Sequence, residues 1–328
     1  MREEHTIVTG IHHCTICVGA AQEDIDFMTK VIGQRMIKQT VLFDGTAPIY
    51  HLYYANKNAE IGTVMTTFPF KQAGVFGRRG TGQIAATAYS VSENAIQTFW
   101  PGHLDKHGVK HSGLQKRFGQ TYIRFSEPSG NVYELVGDDR DKRAGWTTDE
   151  ISEAHSVKGF NATIMSVREL EGQHDYLTIG LGFEKSATDG KYTRYDIQGG
   201  GPCKTVILEH NPDTPAGSWT FGAGTPHHVA FAVANDEVQA KLKAYLEGLG
   251  YTDASESKDR NYFHSVYCRS PGGILTEFAT TDIGFTTDEK LEDLGTSLLL
   301  PPWFESRRAE IVAPLEPITV PAANRIRG

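Results

Sequence analysis

Four times along this chain the same order of signals recurs: a short alternating run, a polar turn, a stretch with apolar residues three and four apart, a glycine, then further alternating runs. A repeated unit must bury the same face in every copy, so this repetition constrains the fold more than any single segment does. The first runs occupy residues 12–18, 84–91, 160–167 and 227–233, and the helical stretches read AQEDIDFMTKVIGQRM, SENAIQTFWPGHLDKHGV, RELEGQHDYLTIGLGF and NDEVQAKLKAYLEGLGY. Ile25, Phe27, Met28, Val31 and Ile32 in the first, and Val238, Leu242, Tyr245, Leu246 and Leu249 in the last, recur at helical spacing. Each stretch ends near a glycine, as a left-handed cap requires. Further strands follow each helix: PIYHLYYA and IGTVMTTF, QTYIRFS and NVYELVG, YTRYDI and KTVILEH, FHSVYCRS and GILTEFA. Anchored on His13, Ala86, Asn161 and His228, the copies are spaced by 73, 75 and 67 residues. The chain therefore predicts an α+β fold of four βαβββ modules.

At 328 residues the chain suits two domains, with the break expected in the charged, aperiodic stretch 138–156. The expected division is a first module pair in 1–140, a linker in 141–156, a second pair in 157–300 and an irregular, proline-punctuated tail in 301–328. Lys and Arg number 32 against 40 Asp and Glu, a net charge of −8, which argues against a nucleic-acid or anionic-membrane partner. No apolar run reaches the roughly 18 residues that would cross a bilayer, and the acidic start MREEHTIVTG does not read as a secretory signal. Four cysteines make no disulfide scaffold, so a cytoplasmic location is expected.

On a strand, residues two apart share a face, so His13, Thr15 and Cys17 point one way and His12, Cys14 and Ile16 the other. Cys14 and Cys17 thus lie on opposite faces, and without a second C-x-x-C to complete a zinc site they read as small packing residues. Across the modules, the first-strand position holds His13, Ala86, Asn161 and His228. Aligned through their proline turns, the last strands hold Glu134 and Glu277, each six residues beyond Pro128 and Pro271. Only the fourth module holds both a histidine and a carboxylate. Two imidazoles and one carboxylate fill one face of an octahedron and leave open positions, the set used by non-haem Fe(II). His13, His228 and Glu277 form that set. A repeat preserves structural histidines equally well, so recurrence alone leaves the metal and packing readings level. Glu134 has no histidine partner in its own module or the third, and reads as a paired or solvated carboxylate. His51, His103, His107, His111, His155, His174, His210 and His264 read as packed or surface residues.

At these residues the chain resembles the vicinal oxygen chelate superfamily, and within it the ring-cleaving hydroquinone dioxygenases of the dichlorohydroquinone type. The resemblance runs to about residue 300 and is carried by GIHHCTICVG, DIDFMTKVIGQR, FDGTAPIYHLYYA, GTVMTTFPF, RFGQTYIRF, GSWTFGAGTPHHVAFAV, DRNYFHSVYCRSPGGILTEF and IGFTTDE. Two HH pairs plus a PGG turn six residues ahead of a Glu are specific only in combination. The resemblance implies Fe(II), with Mn(II) suited to the same ligands, on His13, His228 and Glu277. It implies two domains of the superfamily fold, with modules one and four pairing around the metal and modules two and three forming an empty cup. It implies pocket roles for His12 and His227, which would need a bulge to turn toward the site. Tyr267 resembles a tyrosine that bonds substrate oxygen, Arg260 an arginine that favours the phenolate, and Thr15 shares His13's face and would line the cup.

The implied activity is extradiol-type cleavage of a hydroquinone, halogenated rings included, by O2 between the hydroxylated carbon and its neighbour. Its partners are a small aromatic substrate and O2, and association of chains through sheet edges is left open. His12, His227 or Tyr267 would move protons. A catechol-cleaving enzyme, a glyoxalase-like isomerase and a metal-free aromatic-binding protein use the same modules and remain the alternatives.

Overall fold

The computed structural model describes residues 7–42 and 48–326; residues 43–47, part of the FDGTAPIYHLYYA string, fall outside them, as do 1–6 and 327–328. Module one comprises β1 (Ile11–Val18), α1 (Ala21–Asp26), β2 (Arg35–Val41), β3 (Tyr50–Ala55) and β4 (Val64–Pro69). Module two comprises β5 (Gln83–Val91), α2 (Glu93–Thr98), α3 (Trp100–Lys106), β6 (His111–Arg117), β7 (Gln120–Ser126) and β8 (Val132–Gly137). Module three comprises β9 (Gly159–Val167), α4 (Glu171–Asp175), β10 (Glu184–Asp189), β11 (Tyr192–Asp196) and β12 (Thr205–His210). Module four comprises β13 (Thr225–Val233), α5 (Asp236–Gly248), β14 (Lys258–Asp259), β15 (His264–Arg269) and β16 (Leu275–Thr280).

The helices differ in ways their sequences explain. In α5, the Asn235 side chain accepts from the Val238 amide as N-cap, and Asp236 and Glu237 complement the helix dipole. Pro101, in the first turn of α3, separates α2 from α3 within what the periodicity alone reads as one helix. After α1 and α4 the chain widens into a π-turn at Phe27–Val31 and Tyr176–Gly180. Gly33, Gly108, Gly182 and Gly250 close the four helical segments with positive φ, as the cap reading requires.

The strands form two eight-stranded sheets. One runs β14-β15-β16-β13-β1-β4-β3-β2 and joins module four to module one; the other runs β10-β11-β12-β9-β5-β8-β7-β6 and joins modules three and two. The expected pairing of modules one and four is therefore the observed topology. Within every module the first strand lies parallel to the last, and at the centre of each sheet two first strands meet antiparallel. The main apolar core runs from Ile25 and Met28 through Tyr89 and Tyr133 to Phe231 and Phe278. The residues beyond 300 form short helical turns, α6 (Arg308–Val312) among them. Asn324 bonds both backbone groups of Met36 at 3.0 and 2.9 Å and so fastens the chain end to β2.

Two irregularities at each central joint position the site. Between β1 and β13, His12 is an extra residue on one strand and His227 on the other: Ile11 pairs with Phe231 and His13 with Ala230, then Thr15 with His228 and Ile16 with Pro226. Bulges at these two points re-aim the side chains that an ideal strand would send to the far face. The second sheet carries the same two bulges, at Ala85 and Asn161. This corrects the repeat alignment. The third module's counterpart of His228 is Ala162, which pairs with Ala88 as His228 pairs with Thr15, whereas Asn161 corresponds to His227. A linear alignment hides the offset because one residue of each strand lies outside the pairing.

Candidate metal centre

His13 and His228 face each other from the two central strands, and Glu277 stands beside them on β16, where it pairs with Ala230. His13 Nε2 lies 3.1 Å from His228 Nε2, and Glu277 Oε2 lies 2.7 Å from His228 Nε2 and 3.6 Å from His13 Nε2. All three side chains are buried. The other Glu277 oxygen, Oε1, accepts a short hydrogen bond from Ser265. Oε2 has no hydrogen-bond partner among the described residues, so its close approach to His228 lacks hydrogen-bond geometry. A buried carboxylate oxygen left in this state is strongly unfavourable unless a cation meets it.

The protonation states agree with that reading. Burial pushes His13 well below the ordinary imidazole value, against the pull of Glu277, so its ring is neutral and carries a lone pair. Burial alone would raise Glu277, but positive charge at the facing His228 and His13 positions and the Ser265 hydroxyl outweigh it and hold the carboxyl below its usual range. The first histidine of each pair then sets the tautomer of the second. His12 Nδ1 lies 2.9 Å from His13 Nδ1, and His227 Nδ1 lies 2.7 Å from His228 Nδ1. With the shared hydrogen on Nδ1 of His13 and His228, both Nε2 lone pairs point at Glu277 Oε2. Burial lowers His12 to about 4 and His227 well below its ordinary value, so both rings stay neutral. An N2O donor set of two imidazoles and one carboxylate, convergent and backed by hydrogen-bonded imidazoles, fits a divalent transition metal with open positions.

Above these atoms opens a cavity of about 320 Å³, lined by His13, His228, His227, Thr15, Arg260 and Tyr267 among others. Its aromatic and aliphatic wall includes Phe68, Phe263, Tyr53 and Leu42. The Arg260 guanidinium lies 5.4 Å from the centroid of the Tyr267 ring. Burial raises the Tyr267 hydroxyl, with Glu277 adding to the rise against Arg260, so Tyr267 is a neutral donor. Phe221 stacks on His227 at 3.8 Å and fixes its ring. Every residue the sequence reading assigned to the site is therefore in or directly behind this cavity, with His12 behind His13.

The sequence reading missed an arm of the site. Thr15 Oγ1 lies 2.9 Å from His228 Nε2 and 2.8 Å from Thr66 Oγ1; Thr66 lies 2.9 Å from His51 Nε2; and His51 Nδ1 lies 3.1 Å from the Tyr53 hydroxyl. His51, read as a packing residue, instead lines the cavity. It recurs in no other module, so repetition offered no signal; only its alternation with Tyr53 on β3 hints at a shared face. The C-x-x-C string behaves as expected: both thiols are buried, and burial pushes Cys14 up to about 12.

No family model matches the chain. It is 38% identical to the chlorohydroquinone/hydroquinone 1,2-dioxygenase of Sphingobium indicum over 316 residues, covering 95% of this chain and 98% of that one. A solved structure from Bacillus subtilis, described as a candidate dioxygenase, superposes with a TM-score of 0.89 at 36% identity, over 96% of this chain and 98% of that one. Glyoxalase I from Zea mays, at 14% identity and a TM-score of 0.58 over 83% of this chain and 92% of that one, shares the fold. With two αβ sheets of paired βαβββ modules and relatives of this similarity along nearly their whole length, the chain belongs to the ring-cleaving dioxygenases of the vicinal oxygen chelate fold.

Proposed function

We propose that this dioxygenase opens a hydroquinone ring with O2, using Fe(II) held by His13, His228 and Glu277. The observation that carries the reading is the convergence of two imidazole Nε2 atoms on an unpartnered, buried carboxylate oxygen at the floor of an aromatic-walled cavity. The hydroquinone substrate is supported by the similarity to the Sphingobium enzyme. A divalent redox metal would supply Lewis acidity toward a phenolic oxygen and electron exchange between ring and dioxygen, which closed-shell side chains cannot provide.

The remaining work falls to the chain. Phe68, Phe263 and Tyr53 give the ring an apolar slot of suitable size. The Arg260 cation, partly desolvated, favours a phenolate over a phenol in that slot. Tyr267, neutral, donates to an oxygen on the ring or to one being added. Thr15 presents a hydroxyl at the cavity surface, and through Thr66 it reaches His51, a neutral buried imidazole able to take a proton at one nitrogen while releasing one at the other. His12 and His227 keep the ligand tautomers in place, and Phe221 covers His227.

The test is metal analysis of purified protein combined with oxygen uptake on substituted hydroquinones and on catechols. The proposal expects one iron at this centre and uptake with hydroquinones. Preference for catechols, activity restored by Mn(II) alone, or no uptake with tight aromatic binding would each replace it. His228→Ala is expected to lose both the iron and the activity; an iron-replete, active variant would overturn the ligand assignment.

A further inference from the structure

A second group of metal-ligating side chains stands apart from the cavity, on α3. His103 lies on α3 and His107, four residues on, is the residue that caps its C-terminal end, and Glu150 reaches them from the segment between modules two and three. One ligand atom from each lies within 4.8 Å of the others. His107 Nε2 is 2.8 Å from Glu150 Oε2, a hydrogen bond that an ion would replace with the ring hydrogen moved to Nδ1, and His103 Nδ1 is 3.9 Å from the same oxygen. The His103 tautomer is determined by its surroundings: Nε2 lies 3.0 Å from the Val31 carbonyl oxygen, which can only accept. Nε2 therefore carries the hydrogen, and Nδ1 turns its lone pair toward Glu150. A carbonyl behind an imidazole is the usual support of a metal-bound histidine. Phe99 stacks on His103 at 5.0 Å and holds the ring still. Lys106 contacts the other carboxylate oxygen, Oε1, at 3.0 Å, leaving Oε2 to the two imidazoles. His107 and Glu150 border a crevice of about 240 Å³ with Thr29 and Trp146, where water can complete a coordination sphere.

We propose that His103 Nδ1, His107 Nε2 and Glu150 Oε2 form a second divalent-metal site, suited to Zn(II) by its two imidazoles and single carboxylate. An ion there joins α3 to the connecting segment and, through His103 and Val31, to the end of the first module's helical segment. The site shares no residue with the dioxygenase centre and does not depend on the reading given for it. It also bears on metal analysis, since zinc here would add to the total metal content without changing the iron count.

Zn(II) titration of the full chain, followed by removal of free metal and elemental analysis, tests the site. Iron-loaded protein is expected to take up one zinc beyond its iron, with a rise in Tm. His107→Ala and Glu150→Gln, both altering partly exposed side chains, are expected to lose that zinc while keeping iron and oxygen uptake. His228→Ala is expected to keep it, which separates this site from the catalytic one even if zinc displaces iron in the wild type. Absence of zinc uptake by His228→Ala, or undiminished uptake by His107→Ala and Glu150→Gln in that background, would overturn the proposal.

Discussion

The two sheets are built on one plan, with the same strand order and the same pair of central bulges, yet among the described residues only one sheet presents a candidate metal centre at that joint. Where the first has His13, His228 and Glu277, the second has Ala86, Ala162 and Glu134. The carboxylate has stayed and the imidazoles have not. Glu134 is fully buried, and Arg117 meets it with two nitrogens at 3.1 and 2.6 Å. Arg117 itself lies between the rings of Tyr122 and Tyr192, 4.7 and 4.8 Å from their centroids. A guanidinium thus occupies the electrostatic role that an ion would play in the other sheet. Around it Ala86, Ala88, Ala162 and Ile164 close the floor with apolar atoms. At this pair of related positions a buried carboxylate is balanced by a guanidinium in one sheet and would be balanced by an ion in the other.

The largest effect expected from that contrast is at Arg117. Arg117→Leu would leave Glu134 buried with only Arg124, 3.7 Å away and partly exposed, as compensation. Breaking a buried pair from one side costs about 3–5 kcal/mol, so chemical denaturation should show a loss of that order with iron content unchanged. The double variant Arg117→Leu/Glu134→Leu should recover most of it, because two apolar groups replace the pair. A single variant costing less than about 1 kcal/mol, the scale of an exposed pair, would break the comparison.

A third buried carboxylate, Asp24 on α1, shows what happens with no cation at hand. It accepts from the Tyr54 hydroxyl at 2.8 Å and from Thr67 at 2.6 Å, and burial raises its pKa to about 7. A raised folded-state carboxyl binds its proton more tightly in the native state than in the unfolded chain, so stability falls as pH rises from the unfolded value toward 7. At 1.36 kcal/mol per unit, the loss between pH 5 and pH 8 should be about 2–3 kcal/mol. Asp24→Asn should flatten this slope. An unchanged pH dependence in the variant would mean that the two hydroxyls already suffice to hold the anion.

How much of this was open to a reader of the sequence depended on whether a feature repeated. The module order, the glycine caps, the HH pairs and the PGG-spaced Glu277 all recur or nearly recur, and periodicity exposed them, whereas the pairing of modules one and four followed from the family resemblance. Asn161 was placed one position off because a bulge adds a residue that only pairing reveals. Arg117 as the partner of Glu134 was invisible because it comes from the end of β6, two strands away from β8, at no fixed spacing. His51 and Thr66 escaped notice because each occurs once. The cavity wall draws on Leu42 and Phe263, and His227 is covered by Phe221; all three lie outside the strands, where no periodicity applies.

Thr66 gives the smallest and most selective test of the comparison. By strand pairing it stands at the position filled by Glu277 in module four, Glu134 in module two and Ile207 in module three. The metal-centre sheet therefore carries one carboxylate and one hydroxyl at its two related positions, and the hydroxyl links Thr15 to His51. Thr66→Val keeps the shape and removes the link. A hydrogen bond of this kind contributes about 1 kcal/mol, so kcat should fall about fivefold while iron content stays at the wild-type value. Loss of iron would instead make Thr66 part of the support for His228, through Thr15. An unchanged kcat would reduce the Thr15–Thr66–His51 chain to packing, and would leave Tyr267 and Arg260 as the groups that handle charge on the substrate oxygens.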